Sequence, residues 1–101
     1  MVRIENQNEQ VTAYLSGDID HHSARLIREY IDADAQKMVP KVLRLDFKDV
    51  TFMDSSGIGL VMGRYKLIKA MNGEVLISNC PSHIKRVMKL AGLEKLVEFE
   101  D

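Results

Sequence analysis

Apolar and polar residues alternate in two short segments at the N-terminus. Val2 and Ile4 hold the alternate positions of "MVRIE", and "VTAYLSG" repeats the pattern with Val11, Ala13 and Leu15. Strict alternation is typical of a β-strand with one buried face, and the polar "NQNE" between the segments favours a turn. The pattern therefore predicts an antiparallel hairpin.

The next segment, "DHHSARLIREYIDADAQKM", changes to helical spacing. Asp20 is the predicted N-cap, and Pro40 follows the predicted end. The charged residues lie off a single apolar stripe, which holds Ala24, Ile27, Ile31, Ala35 and Met38. The prediction is an amphipathic first helix.

Alternation returns in "KVLRLDF", which predicts a third strand. Its apolar side holds Leu43, Leu45 and Phe47, and its polar side holds Arg44 and Asp46. After "KDVTFM", a second helix is predicted from Asp54 to about Met71, where "NG" ends it. The short apolar run "EVLIS" is the predicted fourth strand.

The C-terminal part predicts a third helix, "PSHIKRVMKLAG", with Pro81 in its first turn and Gly92 as its C-cap. The residues expected to face inward are Ile84, Val87 and either Leu90 or Ala91. "LEKLVEFE" completes the chain as a short strand or tail. The order β-β-α-β-α-β-α-β predicts an α/β fold, a small mixed sheet of four to five strands flanked by helices.

Composition narrows the classes of protein that fit this order. The 101 residues correspond to one domain, which we expect to span 1–101. A net charge of −1 without a Lys/Arg run argues against nucleic acid as a partner. Cys80 is the only cysteine, which excludes an intramolecular disulfide and a cysteine-rich zinc site.

No apolar run approaches the ~20 residues of a membrane span. The N-terminal "MVRIENQNEQ" is too polar for a signal peptide. We therefore expect a cytoplasmic protein with no membrane partner.

The second helix has two apolar faces when its residues are spaced by about 100°. The predicted core face holds Ile58, Val61, Met62, Tyr65 and Ile68. Nearly opposite are Leu60, Leu67 and Met71, beside Gly63 and Arg64, with Ser56 one turn before Leu60.

Two interpretations of this second face remain open from helical geometry. Strand residues or the first helix could cover it. Alternatively, an apolar strip rimmed by charge is typical of a protein-binding patch, here formed by Leu60, Gly63, Arg64 and Leu67.

Three glycines in this helix, Gly57, Gly59 and Gly63, each cost about 1 kcal/mol relative to alanine. Close approach of another backbone, or of a bulky group of a partner, would explain them.

The segment "MDSSG" fits several roles. Asp54 suits an N-cap. A serine at a strand-to-helix turn is also accessible to modification, because a phosphate there meets free backbone amides and the positive end of the helix dipole. Such a phosphate adds about −1.5 to −2 charge beside an apolar face, which makes a switch. Geometry does not choose between Ser55 and Ser56.

Catalysis is the less favoured role. "DSSGIG" lacks the first glycine of the G-x-S-x-G nucleophile turn, although His21, His22 or His83 with Asp20 could complete a triad on paper. A chain of this size has little room for a substrate pocket and an oxyanion hole. No GK[ST] phosphate loop occurs.

Metal binding is not predicted either, because the adjacent His21 and His22 point about 100° apart in a helix. We therefore predict no cofactor and no metal site.

Three segments resemble a known family: "GDIDHHSA", "LRLDFKDVTFMDSSGIGLVMGRYK" and "GEVLISNCPSHIKRVMKLAGLEKL". They are similar to bacterial anti-sigma factor antagonists of the STAS domain family, and most of all to those that act in sporulation on the anti-sigma factor of sigma-F. The resemblance covers nearly the whole chain and implies a small mixed sheet flanked by helices. Family members commonly continue into a further helix beyond the position of the final "EFED".

The resemblance implies a partner-switching cycle. The unphosphorylated antagonist binds an anti-sigma factor that is also a serine kinase, and the sigma factor is released. That kinase, which supplies ATP and Mg²⁺, phosphorylates the antagonist and ends the binding, and a serine phosphatase restores it. The chain would then be a kinase substrate and no enzyme, and a monomer when free.

The resemblance also implies which residues act. The phosphate falls on Ser55, directly after the aspartate, and part of the docking surface lies in the loop before the first helix at Gly17, Asp18, Asp20 and His21. The predicted partner-binding set is Asp20, His21, Asp54, Ser56, Gly57, Gly59, Leu60, Gly63, Arg64 and Leu67. The alternatives are a STAS-type binding module of a general stress pathway and a small serine hydrolase.

Overall fold

The computed structural model describes residues 1–100, and its elements follow the predicted order. They are β1 (Val2–Gln7), β2 (Gln10–Ile19), α1 (His21–Met38), β3 (Val42–Met53), α2 (Ser55–Ala70), β4 (Glu74–Ser78), α3 (Ser82–Leu90), a 3₁₀ turn (Leu93–Lys95) and β5 (Glu98–Glu100). The predicted α/β fold is confirmed.

The five strands form one mixed sheet in the order β1-β2-β3-β4-β5. β1 and β2 are the predicted antiparallel hairpin, and every later pair is parallel. Each parallel pair is joined by a helix, and right-handed crossovers that all advance in one direction bring the helices to the same face of the sheet.

The core lies between this face and the helices. The strand residues that the alternation predicted to face inward are all buried: Val11, Ala13, Leu15, Leu43, Leu45 and Phe47. Val75 and Ile77, from the apolar run of β4, are buried beside them. From α1 the stripe Ala24, Ile27, Ile31 and Ala35 packs against them. Met38 does not join this stripe, because α1 ends there and Val39 turns the chain into the left-handed region with φ 45°.

The prediction of which side of α2 faces the core is wrong. At 100° per residue, the buried side is rotated about the helix axis by roughly a quarter turn from the predicted one. The buried residues are Gly57, Leu60, Val61, Arg64 and Ile68, whereas Ile58, Met62 and Tyr65 are only half-buried. The reason is that α2 packs on α1 as well as on the sheet, and the contact with α1 buries the side that carries Leu60.

The predicted inward face of α3 is also partly wrong. Ile84 is buried, but its buried companion is Met88, while Val87, Leu90 and Ala91 are exposed. Pro81 is the N-cap and Ala91 the C-cap. Gly92 instead follows the helix with φ 82° and begins the 3₁₀ turn, which turns Leu93 into the core.

Candidate functional site

The starts of α1 and α2 lie side by side because their preceding strands are parallel neighbours. Ile19, the last residue of β2, pairs in register with Met53, the last residue of β3. The next residues, Asp20 and Asp54, therefore both stand at the carboxyl edge of the sheet. The Asp54 amide donates to the Ile19 carbonyl at 3.1 Å, which ties the two turns together.

Both aspartates are N-caps, as predicted. The Asp20 carboxylate accepts from the Ser23 amide at 2.9 Å, and the Ser23 hydroxyl accepts from the Asp20 amide, which completes a capping box. The hydrogen bond from the Ser23 amide to the carboxylate is the main cause of a lowered pKa at Asp20, and the Ser23 side chain acts in the same direction. The Asp54 carboxylate accepts from the Ser56 amide at 2.8 Å.

The preceding segment is a strand and not the predicted loop. Gly17 and Asp18 belong to β2, which pairs with β3 through two register shifts. Gly17 supplies φ 81°, and the Thr51 hydroxyl donates to the Asp18 carboxylate at 2.8 Å. This irregular pairing extends β3 through "KDVTFM" as far as the cap of α2.

Ser55 and Ser56 differ in accessibility. Ser55 is the first residue of α2, is exposed, and its hydroxyl makes no hydrogen bond with any of residues 1–100. Ser56 is half-buried and its side chain faces α1. Of the two hydroxyls, that of Ser55 is the more open to another protein.

A groove of about 340 Å³ lies between the N-terminal halves of α1 and α2. It is lined by His21, Ala24, Arg25, Arg28, Ser56, Gly59, Leu60 and Arg64. The structure therefore brings together five residues of the predicted partner-binding set, from two helices, in one concave surface.

Leu60 and Arg64 form the floor of this groove and are not an exposed strip. Only 4% of Leu60 and 6% of Arg64 is exposed. The Arg64 Nε lies 2.8 Å from the Asp32 Oδ1 on α1, and an Arg64 Nη donates to the Leu60 carbonyl at 3.4 Å. Of the two open interpretations, cover by the first helix is the one that holds, and Gly63 and Leu67 remain half-buried beyond it.

The charges of this pair are perturbed by burial. Burial raises the pKa of the Asp32 carboxyl, although the guanidinium of Arg64 acts in the opposite direction. Burial likewise lowers the pKa of Arg64, against the effect of Asp32. Arg64 has the larger buried fraction, so the ion pair serves chiefly to compensate its charge.

The three glycines of α2 have different explanations. A Cβ at Gly57 would overlap the side chain of Met53, so internal packing accounts for this glycine. A Cβ at Gly59 or Gly63 would meet nothing within 4 Å. These two positions leave open space on the surface of α2, and Gly59 lines the groove.

Three residues at this edge escaped the sequence analysis. Arg25 and Arg28 line the groove, and they follow His21 at helical spacings of four and seven, a signal that a search for charge on one face would have detected. Phe52 is 52% exposed, three residues before Ser55. It lies in "KDVTFM", beyond the segment predicted as the third strand, so the sequence analysis assigned it to no strand face.

The geometry of a serine hydrolase is not assembled. Within residues 1–100 no histidine makes a hydrogen bond with Ser55 or Ser56. A ring nitrogen of His83 lies instead 3.3 Å from the Thr51 carbonyl oxygen. The nucleophile and base needed for acyl transfer are therefore not in contact.

Residues 1–100 contain no cluster of three or more His, Cys, Asp or Glu side chains arranged to hold a metal ion. None of their helices is long and apolar enough to cross a membrane.

Comparison with known proteins gives the family. Residues 1–101 match the family model described as "STAS domain". The chain belongs to the STAS domain family. It is 32% identical over 100 residues to an anti-sigma F factor antagonist of Paenibacillus polymyxa, a match that covers 99% of this chain and 86% of that protein. It is 30% identical over 95 residues to the anti-sigma-B factor antagonist of Bacillus subtilis, with 94% and 84% covered.

Solved STAS structures agree with the fold. The anti-sigma factor antagonist SpoIIAA in its unphosphorylated form has a TM-score of 0.86 at 27% identity, with 100% of this chain and 89% of that chain covered. The phosphorylated form of Bacillus SpoIIAA gives 0.79 at 28% identity, with 100% and 92% covered. The resemblance found in the sequence is confirmed.

Proposed function

We propose that this STAS domain is an anti-anti-sigma factor that binds an anti-sigma factor in its unphosphorylated form and is switched off by phosphate on Ser55. The observation that carries the proposal is the position of Ser55, an exposed serine that is the first residue of α2 and directly precedes Ser56, which lines the α1–α2 groove. Relatives that match nearly the whole chain are antagonists of anti-sigma factors.

The start of α2 can accept a phosphate without unfolding. The amides of the first turn and the positive end of the helix dipole favour negative charge there. The Ser55 hydroxyl has no hydrogen bond to lose among residues 1–100, and Asp54 already supplies the cap through the Ser56 amide. The phosphate therefore changes the surface and leaves the fold intact.

The same phosphate would disturb a docked protein. It brings about −1.5 to −2 charge and three acceptor oxygens to the residue next to Ser56, which lines the groove. A partner packed over His21, Ser56 and Gly59 would have to accommodate that charge away from water. A penalty of about 3 kcal/mol would weaken binding more than a hundredfold.

Chemistry on the phosphate belongs to other proteins in this proposal. The kinase activity of the anti-sigma factor supplies ATP and Mg²⁺, and a serine phosphatase removes the phosphate. The domain acts as their substrate, and neither Ser55 nor Ser56 is hydrogen-bonded to a histidine within residues 1–100. It works in the cytoplasm, as a monomer when free.

The test is to incubate the protein with ATP and the anti-sigma F factor of Paenibacillus polymyxa, then to map the modified residue by mass spectrometry. We expect phosphate on Ser55 and none on a Ser55→Ala variant. Labelling confined to Ser56, or labelling that persists in Ser55→Ala, would show that the assignment is wrong.

A second candidate is a module of a general stress pathway. The 30% identity to the anti-sigma-B factor antagonist of Bacillus subtilis favours it almost as much as the first. Binding measured in parallel to the anti-sigma F and anti-sigma-B factors decides between the two, since the cognate class should bind more tightly by a wide margin.

A further inference from the structure

The α1–α2 groove is positively charged. Among the described residues, those that line it include Arg25, Arg28 and Arg64 and no aspartate or glutamate. The groove therefore has an excess of basic side chains, although the net charge of the whole chain is −1. The groove is therefore a distinct feature of the surface.

The three guanidinium groups are not equivalent. Arg64 is paired with Asp32 at 2.8 Å, and Arg25 lies 3.6 Å from Glu29 on the exposed side of α1. Arg28 makes no ion pair or hydrogen bond with any of residues 1–100. It lies close enough to Arg64 to lower the pKa of that guanidinium, and close enough to Asp32 to act towards a lower pKa of that carboxyl. Arg28 and Arg64 therefore repel each other and share the single carboxylate of Asp32, which lies 2.8 Å from Arg64.

Arg28, an exposed arginine with no ion pair among residues 1–100, lies near the buried Arg64, and this arrangement favours an anionic group in the groove. A carboxylate placed at Arg28 would reduce the repulsion between the guanidinium groups of Arg28 and Arg64. It could also accept two parallel N–H···O hydrogen bonds from one guanidinium. The open space over Gly59 leaves room for such a side chain to enter between the helices.

We propose that the anti-sigma factor docks an acidic segment in this groove, with an aspartate or glutamate side chain at Arg28. This inference rests on the function proposed above and names the chemistry of the docking surface.

An acidic segment in the groove also explains why phosphorylation would weaken binding and not strengthen it. A phosphate on Ser55 is a like charge for an acidic segment, so phosphorylation repels the occupant that the unphosphorylated groove attracts.

The experiment measures binding of the unphosphorylated protein to the anti-sigma factor that phosphorylates it, by calorimetry at 50 and 300 mM salt. Wild-type affinity should fall as salt rises, because an attraction between opposite charges is screened. Arg28→Glu should weaken binding about tenfold or more at low salt and flatten the salt dependence. Arg28 is exposed, so this variant should keep the thermal transition of the wild type.

Arg86→Glu is the matched control. Arg86 is an exposed arginine on α3, its substitution changes the net charge equally, and it lies outside the groove. Its binding should stay within about twofold of wild type. Loss of affinity of the same size in both variants would trace the effect to net charge and overturn the proposal.

A charge swap completes the test. Replacing the acidic residue of the partner segment with arginine should restore binding to Arg28→Glu and weaken binding to wild type. Wild-type binding that is unaffected by Arg28→Glu overturns the acidic-segment inference alone, whereas the absence of binding to anti-sigma F and anti-sigma-B factors alike overturns the proposed function with it.

Discussion

The Nε of Arg64 on α2 lies 2.8 Å from the Oδ1 of Asp32 on α1, in a contact that leaves 7% of the Arg64 side chain and 29% of the Asp32 side chain exposed. This ion pair joins the two helices that form the groove. Arg64, one of its two members, forms part of the floor of the groove.

Removing the carboxylate with Asp32→Ala should destabilise the domain more than removing the cation. Arg64 would remain buried without its partner, and we expect a loss of about 2–3 kcal/mol in the free energy of unfolding. That is less than for a fully buried pair, because Asp32 is partly hydrated. Urea denaturation followed by circular dichroism measures the change.

The control is the double variant Asp32→Ala/Arg64→Met, which removes both charges and keeps an apolar side chain in the floor. It should recover a large part of the stability lost in Asp32→Ala. Losses that simply add would mean that the 2.8 Å contact contributes no coupling between the helices.

Substitution by alanine at two glycines of α2 should change the stability of the domain in opposite directions. Gly57→Ala should lower stability by about 1–3 kcal/mol, because the new Cβ overlaps the Met53 side chain. Gly59→Ala should raise it by up to about 1 kcal/mol, because alanine is the better helix former and the position is open. Thermal unfolding of both variants compares them directly, and destabilisation by Gly59→Ala would contradict this explanation.

Ser55→Glu should separate binding from folding. The added carboxylate at the start of α2 is favourable to the helix dipole, so the melting temperature should stay within a few degrees of wild type. Binding to the anti-sigma factor should nevertheless be lost or strongly reduced. Asp54→Ala is the contrasting variant, since loss of the N-cap should cost about 1 kcal/mol of stability. If Ser55→Glu abolished the cooperative transition, the serine would be structural.

Cys80 should be a slow nucleophile. Burial raises the pKa of its thiol from 9.0 to about 11, with Lys85 acting in the opposite direction, so its thiolate fraction at pH 8 is about a hundredfold below that of an unperturbed thiol. Greater basicity of the thiolate offsets part of this loss. We expect iodoacetamide to label the folded protein at least about tenfold more slowly than the protein in urea. Equal rates would refute the burial of this group.

The same shift has a consequence for alkaline stability. A pKa that is higher in the folded state than in the unfolded state means that the native protein holds the Cys80 proton more firmly. Its contribution to stability is complete below about pH 9 and is lost as the pH rises towards 11. A Cys80→Ala variant should show a flatter decline in stability over this range.

The sequence by itself determined the order of the elements, the strand faces and the two N-caps. Alternation at Val11, Ala13 and Leu15 reports burial directly, because a strand packed on one face has a period of two. Asp20 and Asp54 were predictable because an N-cap depends on the first turn of its own helix. The resemblance in "MDSSG" likewise depends on local residues alone.

Only the tertiary structure decided which face of α2 is buried and what the groove contains. α2 is apolar on several sides, so its rotation is set by the packing of α1 and by the ion pair from Asp32 to Arg64, two contacts between residues far apart in the chain. The parallel pairing of β2 with β3 then places His21 beside Ser56 and turns two separate helix starts into one site. Spacing along a single helix carries no information about a neighbouring helix. For that physical reason the sequence left open whether Leu60 and Arg64 are covered, and only the structure shows them as the buried floor of the groove.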